Sequence, residues 1–207
     1  MPRKTYARHK GSDKREREII EAGLACFAEH GYANTTLEDI RLRSGASNGS
    51  IYHYFASKEG LAAAIYVEAI ADYQKRILDA IERNPQARAG VRAIVRAHLD
   101  WVEENPDWAR YLMEMRHAPF MATAESAIAE HNREFINAFV TWLNPHLKSG
   151  EIRRMGPDIF ISLLLGPCQE FVRNWLGGCT QTKLSAAKEE LASAAWLVVR
   201  GPATAEN

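Results

Sequence analysis

Apolar side chains recur every three or four residues along most of the 207-residue chain, which is the spacing of a buried helical face. The segment from Thr35 to Leu61 reads TTLEDIRLRSGASNGSIYHYFASKEGL and contains two such patterns, separated by only a few small residues. Because so short a turn does not allow antiparallel packing, the pattern predicts two helices that cross at a steep angle. We therefore expect an all-α protein organised around this helical corner.

Local signals predict where the two helices of the corner begin and end. Thr35 and Glu38 stand three residues apart, as in a capping box, and predict the start of the first helix. Gly45 is suited to the left-handed conformation that ends a helix. Either Ser47 or Asn48 can cap the second helix.

The second helix of the corner buries Ile51 and Phe55, which lie four residues apart on one face. Gly49 leaves the N-terminal end of this helix sterically open. Free amides and the positive end of the helix dipole make such a tip suited to a phosphate backbone. The hydrogen-bonding residues elsewhere on its surface are Asn48, Ser50, Tyr52 and His53.

The run SGASNGSIYHYFASKEGL combines a small turn, a Tyr-x-Tyr-Phe group and a Ser-Lys-Glu-x-Leu start to the next helix. In this it resembles the DNA-binding signature of the TetR family of bacterial transcriptional regulators. The resemblance ends at Leu61, and beyond it only the helical layout is similar. It implies a three-helix helix-turn-helix domain at 13–60, preceded by a flexible basic arm at 1–12. A larger helical ligand-binding and dimerisation domain would occupy 61–207.

The resemblance also implies roles for individual residues of the corner. Phosphate contacts are expected from Thr36, Tyr52 and Lys58, and base-edge contacts from the first turns of the second helix. An asparagine there can read adenine through two hydrogen bonds, whereas a hydroxyl can read either base. Arg43 suits solvent as well as DNA. The predicted DNA-binding residues are Thr35, Thr36, Arg43, Ser47, Asn48, Gly49, Ser50, Tyr52, His53 and Lys58.

The formal net charge is zero, so binding to DNA must come from the local placement of charge. Basic side chains outnumber acidic ones near the N-terminus. Residues 1–12 are either a solvated tail or an arm that follows the phosphates or enters the minor groove. The basic residues of this region are Arg3, Lys4, Arg8, Lys10, Lys14, Arg15 and Arg17.

The last two helical patterns predict a homodimer interface around 158–177 and 183–200, formed as a four-helix bundle with the second copy. The alternative is that both helices lie inside a monomer. The first of them is apolar almost all round, and the second carries small residues that allow close packing. The pattern of the second helix is Leu184, Ala187, Leu191, Ala194, Ala195 and Val198.

Between the corner and these helices, four patterns predict a long helix from Ser57 to Asn84, then helices at 88–104, 108–117 and from Pro119 to a kink or end near Pro145. Together they predict an apolar, aromatic-lined cavity for a small molecule. Each aromatic residue taken singly suits core packing as well. The predicted ligand-binding residues are Tyr66, His98, Trp101, Trp108, Tyr111, Met115, Phe135, Phe139 and Trp175.

Other function classes find little support in the sequence. No metal spacing, glycine-rich phosphate loop or serine elbow occurs, so we expect no enzyme, no cofactor and no metal. Cys26, Cys168 and Cys179 form no CxxC motif and favour a reducing compartment. No apolar run is long enough for a membrane span, and we expect a soluble, cytoplasmic protein.

The sequence thus predicts a dimeric regulator, a repressor, that binds a palindromic double-stranded DNA operator. A small apolar or aromatic effector would release it. Two alternatives remain at this point: a DNA-binding dimer without an effector, and a helical protein-interaction module.

Overall fold

The computed structural model describes residues 10–202, without the side chains of 10–13, 123, 124, 126, 127 and 131. Within this part of the chain the structure is helical, apart from one isolated bridge between Ile152 and Arg200. The predicted all-α class is confirmed. The helices are α1 (Lys10–His30), α2 (Leu37–Ser44), α3 (Asn48–Phe55), α4 (Lys58–Arg83), α5 (Ala87–Glu104), α6 (Pro106–Met115), α7 (Glu125–Ser149), α8 (Pro157–Leu176) and α9 (Leu184–Val199), with a 3-10 turn at Pro119–Ala124.

The chain divides into two compact units. The N-terminal unit comprises the residues up to Ala69 together with Tyr111–Ala127, and the C-terminal unit comprises Ile70–Arg110 and the residues from Ile128 onward. This division differs from the predicted boundary after residue 60, because the first turns of α4 stay with the N-terminal unit. Of the predicted arm, residues 1–9 lie outside the described residues, and 10–12 belong to α1.

The capping box of α2 is one residue later than predicted. Thr36 is the N-cap, its hydroxyl accepts from the Asp39 amide, and the Asp39 carboxylate accepts from the Thr36 amide. Thr35 is instead buried, with its hydroxyl 2.9 Å from the Gly31 carbonyl and 3.1 Å from the Cys26 carbonyl. The sequence prediction for Thr35 was wrong because these two acceptors belong to the end of α1 and cannot be seen from spacing within α2.

The two turns of the corner depend on glycines. Gly45 has φ +63° and ends α2, as predicted. At the other turn, a Cβ added to Gly60 would lie 2.0 Å from the Phe55 carbonyl oxygen. The start of α4 therefore approaches the end of α3 so closely that no side chain fits at this position. The hydroxyl of Ser57 accepts from the Gly60 amide and caps α4 as predicted.

Aromatic side chains from distant parts of the sequence complete the N-terminal unit. Tyr111 stacks on Phe27 with the ring centroids 5.9 Å apart, and its hydroxyl donates to the Ala62 carbonyl at 2.8 Å. Phe120 contacts the ring of Tyr32 at 5.0 Å. These contacts explain why the segment 111–127 belongs to this unit.

In the C-terminal unit, α5 is buried on most of its circumference and packs against α8 and α9. At one edge of this packing, Glu189 of α9 accepts hydrogen bonds from both Arg92 and Arg96. These guanidinium groups lower the pKa of Glu189 to about 2. Lys188, one residue earlier on α9, pairs with Asp100.

The region of α7 differs from the sequence prediction. The turn that opens at Pro119 is a 3-10 turn, and α7 begins only at Glu125. Pro145 lies inside α7 and does not end it. On either side of this proline, the Trp142 indole N–H at 3.2 Å and His146 Nε2 at 2.9 Å both donate to the Pro85 carbonyl. These two anchors hold the last turn of α7 in place although the proline donates no backbone hydrogen bond.

The outer face of α9 carries apolar side chains. Val198 is 40% exposed and Ala194 is also exposed, whereas Val199 is buried. Leu197 is 58% exposed and Ile159 of α8 is 52% exposed. Apolar surface therefore remains uncovered on both of the last two helices.

Among the described residues, none of the helices has the length and apolar content that crossing a bilayer requires.

Replacing Gly90 by alanine should destabilise the fold. The added methyl would lie 2.3 Å from the Trp142 ring and 2.8 Å from the Asn84 carbonyl oxygen. Such overpacking costs about 1–3 kcal/mol. We expect a lower midpoint of thermal unfolding, by about 2–4 °C per kcal/mol, measured by circular dichroism.

Gly49→Ala is the matched control, because there the added methyl meets only the Ser47 hydroxyl, at 3.8 Å. Alanine is the better helix former, so this variant should unfold at the wild-type temperature or slightly above it. Equal midpoints for the two variants would show that the packing of Trp142 on Gly90 is unimportant.

Candidate nucleic-acid interface

The N-terminal end of α3 is exposed, and its buried face lies one turn further on. Ser47, Asn48 and Gly49 are exposed, whereas Ile51 is 1% exposed and Phe55 is 6% exposed. The two apolar anchors therefore hold the helix against the unit while its first turn faces outward. This is the arrangement that the sequence predicted for α3.

Hydrogen bonding at this end leaves several polar groups available. Ser47 is the N-cap and accepts from the Ser50 amide at 3.1 Å, and the two hydroxyls lie 3.0 Å apart. The Asn48 side chain has no hydrogen-bond partner among the described residues. His53 is exposed, and its ring lies 5.2 Å from the ring of Tyr54, edge to face. Because the remaining amides of the first turn are not capped, the tip carries the partial positive charge of the helix dipole.

Tyr52 and Thr36, both predicted to contact phosphate, are exposed. They differ in whether the hydroxyl already has a hydrogen-bond partner. Tyr52 is 57% exposed, and its hydroxyl has no partner among the described residues. The Thr36 hydroxyl donates to Asp39 at 2.7 Å. These hydrogen bonds from Thr36 lower the pKa of Asp39. A phosphate contact by the Thr36 hydroxyl would have to replace the bond to this carboxylate.

Thr35 cannot belong to the surface in this conformation, since its side chain is 1% exposed and its hydroxyl is used inside the unit. Its inclusion among the predicted DNA-binding residues is therefore corrected.

The Lys58 side chain donates hydrogen bonds to backbone carbonyls of the same unit. Its ammonium lies 2.9 Å from the Tyr32 carbonyl, 2.9 Å from the Thr35 carbonyl and 3.5 Å from the Ala33 carbonyl. It also lies 4.5 Å from the centroid of the Tyr32 ring. An ammonium has three N–H donors, so these contacts account for its donors. The predicted phosphate contact would require Lys58 to leave at least one carbonyl without this partner.

Arg43 pairs with Glu29 of α1 at 2.6 Å. This guanidinium lowers the pKa of Glu29. Both side chains are exposed, and Arg43 also interacts with the Cys26 thiol of α1. Sequence reasoning missed both acidic partners of this surface. The i to i+3 spacing of Thr36 and Asp39 would have identified one, but the pair of Glu29 and Arg43 joins two helices and has no local signal.

The family model for bacterial regulatory proteins of the tetR family matches residues 19–65, which include all of α2 and α3. The HTH-type transcriptional repressor AcnR of Corynebacterium diphtheriae is 29% identical over 153 residues, covering 72% of this chain and 73% of the relative. Residues 19–65 thus belong to the TetR family.

Solved structures of the TetR family share this fold. A TetR family transcription regulator from Marinobacter aquaeolei VT8 superposes with a TM-score of 0.80 at 21% identity, over 93% of this chain and 99% of that chain. The transcriptional regulator FadR from Bacillus subtilis, solved in complex with stearoyl-CoA, superposes with a TM-score of 0.73 at 21% identity. That match covers 86% of this chain and 96% of FadR. At these identities the likeness establishes the fold.

The ligand-binding residues predicted from the sequence are divided between the two units. Tyr66, Tyr111 and Met115 lie in the N-terminal unit, where Tyr66 and Tyr111 are buried. In the C-terminal unit, Phe135 and Phe139 stack with their centroids 5.9 Å apart. The other members in the C-terminal unit are His98, Trp101, Trp108 and Trp175. Their role as a ligand site stays a prediction.

A cluster around Tyr73 of α4 joins two of these residues. The Tyr73 ring meets His98 at 5.7 Å and Trp101 at 5.2 Å, in both cases edge to face. The Trp101 indole N–H donates to Asp72 at 2.7 Å. The spacing within α4 gives no sign of this cluster, because the aromatic neighbours of Tyr73 belong to α5.

A surface cavity of about 570 Å³ in the C-terminal unit has a different character from the predicted aromatic cavity. Three arginines of α5 line it at intervals of four residues, and none of the predicted ligand-binding residues does. Its lining residues are Asn84, Gln86, Arg88, Ala89, Arg92 and Arg96.

Lys58→Met should lower stability, because the carbonyls at the end of α1 lose a charged donor while the aliphatic stem is kept. Hydrogen bonds to a charged group are worth about 1.5–3 kcal/mol. We expect a loss within about 1–3 kcal/mol in the free energy of unfolding, measured by chemical denaturation.

Lys14→Met is the matched control, since the Lys14 side chain is 80% exposed and only loosely paired, 3.8 Å from Glu18. It should leave stability unchanged. Unchanged stability of Lys58→Met, together with a smaller salt dependence of DNA binding, would instead assign Lys58 to a phosphate contact.

Proposed function

We propose that this TetR-family regulator is a homodimer that binds a palindromic DNA operator and represses transcription. A small, mainly apolar or aromatic effector would release it from the operator. The observation that carries the proposal is the exposed tip of α3, held outward by the burial of Ile51 and Phe55.

The DNA contacts follow from this tip. A helix whose first turn is exposed and carries little side-chain bulk can enter the major groove end-on. Asn48 and His53 have side chains available for base edges, and Ser47 and Ser50 present hydroxyls. Tyr52 supplies a phosphate contact through its free hydroxyl. Three further residues contact DNA only if they exchange or share their present hydrogen-bond partners: Thr36, Arg43 and Lys58.

Dimerisation is supported by the apolar surface of the last two helices. Ile159 of α8 and Leu197 and Val198 of α9 are each at least 40% exposed. Pairing with a second copy would remove this surface from water, at about 25 cal/mol per Å² of apolar area. A two-fold dimer also presents two recognition helices, which a palindromic operator requires.

The effector part of the proposal is supported by two observations. The C-terminal unit contains aromatic clusters around Tyr73 and Phe139. FadR, which shares the fold, was solved with stearoyl-CoA, a molecule with a long apolar chain. The effector would release DNA to the extent that it prefers the conformation with the lower operator affinity.

An electrophoretic mobility shift with the DNA immediately upstream of the protein's own coding region tests the proposal directly. Salt-dependent binding that a panel of hydrophobic compounds abolishes would support it. Binding that no compound alters would favour a DNA-binding dimer without an effector. Absence of binding to the upstream DNA and to a random duplex library would refute the proposed function.

Gly49→Ala should weaken operator binding without harming the fold. The site is open in the protein, since only the Ser47 hydroxyl lies within 4 Å of the added methyl. A loss of affinity must therefore come from contact with DNA. We expect at least about a tenfold increase in the dissociation constant, or about 1.4 kcal/mol. Gln181→Ala, at an exposed position of the C-terminal unit, is the control and should bind normally. Wild-type affinity of Gly49→Ala would mean that the tip does not approach DNA closely.

Leu197→Glu should convert the dimer to a monomer, because burying an unpaired carboxylate at the interface is strongly unfavourable. Light scattering coupled to size-exclusion chromatography measures the mass. Ile136→Glu on α7 is the matched control: Ile136 is 50% exposed, and the variant should remain dimeric. A dimeric Leu197→Glu would exclude this face as the interface.

A further inference from the structure

His98 is a buried polar residue with half of its hydrogen-bonding capacity unused. It lies on α5 within the C-terminal unit and is 7% exposed. Its Nδ1 is 3.1 Å from the Tyr73 hydroxyl oxygen. Its Nε2 has no hydrogen-bond partner among the described residues. Polar atoms at this depth normally have a partner, so this nitrogen requires an explanation.

The bond to Tyr73 determines which nitrogen of His98 carries the proton. A phenol O–H is a stronger acid than a neutral imidazole N–H, and an imidazole nitrogen is a stronger base than a phenol oxygen. The Tyr73 hydroxyl therefore donates to Nδ1, and the ring proton stays on Nε2. Burial lowers the pKa of His98 to about 4, so the ring is neutral at pH 7. The unused group is thus an N–H donor on an uncharged ring.

The groups around this donor do not satisfy it and carry little charge. Trp101, which packs on Tyr73, uses its own N–H on Asp72. Cys168 of α8 lies near Tyr73, and burial raises the pKa of its thiol to about 11, so it is also uncharged. Because the His98 ring is neutral, it gives an anion no positive charge to pair with, and a buried unpaired charge is unfavourable. An uncharged acceptor fits both the donor and its surroundings.

We propose that His98 Nε2 donates a hydrogen bond to a carbonyl or ether oxygen of an uncharged, mainly apolar effector. Tyr73 is a positioning residue that holds the ring and its tautomer. The inference rests on the proposed function, because it names the polar group of the effector in that proposal. Leaving a buried donor without an acceptor disfavours binding by about 5- to 150-fold. The site therefore selects ketone-like molecules over hydrocarbons of the same shape.

Two matched pairs of compounds test this selectivity: 2-acetonaphthone with 2-ethylnaphthalene, and acetophenone with ethylbenzene. Each pair differs by one carbonyl oxygen at nearly constant size. Isothermal titration calorimetry with the full-length protein measures the dissociation constants. In at least one pair we expect the ketone to bind about tenfold or more tightly. If neither ketone binds more tightly than its hydrocarbon, the proposal is wrong.

Two substitutions test whether His98 and Tyr73 cause the preference for the ketone. His98→Phe keeps an aromatic ring but removes the donor, and it should abolish the preference for the ketone while hydrocarbon binding persists. Tyr73→Phe keeps Nε2 but frees the tautomer, and it should reduce the preference. His117→Phe, at an exposed position, is the matched control and should keep it. Undiminished preference in both His98→Phe and Tyr73→Phe would overturn the assignment.

A measurement without any ligand adds a second criterion. Long-range ¹H–¹⁵N correlation spectra at pH 7 distinguish the two histidine tautomers, and we expect His98 to carry its proton on Nε2. A proton on Nδ1 would overturn the proposal even if every variant folds poorly.

Release of upstream DNA by the same four compounds separates this inference from the proposed function. Equal release by ketone and hydrocarbon would refute acceptor recognition but would agree with control by an effector. If none of the four binds or releases the DNA, acceptor recognition is refuted, and effector control is then tested by the wider compound panel.

Discussion

The burial of Ile51 and Phe55 is the constraint on which the DNA-binding surface depends. The two side chains lie on one face of an eight-residue helix and are almost completely removed from water. Full burial of such side chains is worth about 1.5–3 kcal/mol each, which an isolated two-turn helix cannot supply from its own hydrogen bonds. Because the first anchor, Ile51, comes only after three residues of α3, the N-terminal tip of the helix is left free. Exposure of Asn48 and Gly49 is thus a consequence of how the helix is held.

The neighbouring turns are fixed by polar groups that point inward. The Thr35 hydroxyl and the Lys58 ammonium both bind backbone carbonyls at and beyond the end of α1, where a helix leaves acceptors unsatisfied. These contacts connect the end of α1 to the starts of α2 and α4. Two residues that a DNA-binding resemblance assigns to the surface are therefore part of the support beneath it. The tip of α3 is therefore preorganised, because α2 and α4, which flank it, are both hydrogen-bonded to the end of α1.

The C-terminal unit combines two kinds of polar arrangement. At the edge of α5 and α9, Arg92, Arg96 and Glu189 satisfy one another and stay in contact with water. In the interior, Tyr73 and His98 satisfy only one nitrogen of the imidazole. An exposed ion pair contributes little free energy, whereas an unmet donor in the interior is costly. The second arrangement is therefore the more informative about ligand recognition.

The sequence by itself determined the helical class, the position of the corner, the glycine that ends α2 and the anchors Ile51 and Phe55. These features follow from periodicity and from local capping, in which every partner lies within four residues. Only the tertiary structure decided the inward role of Thr35 and Lys58, the membership of Tyr111 in the N-terminal unit and the outward face of Val198. In each case the deciding contacts join residues far apart in the chain, or the packing of neighbouring helices decides which side of a helix is covered. Helical periodicity defines which residues share a face, but the direction of that face is set by the helices that pack against it.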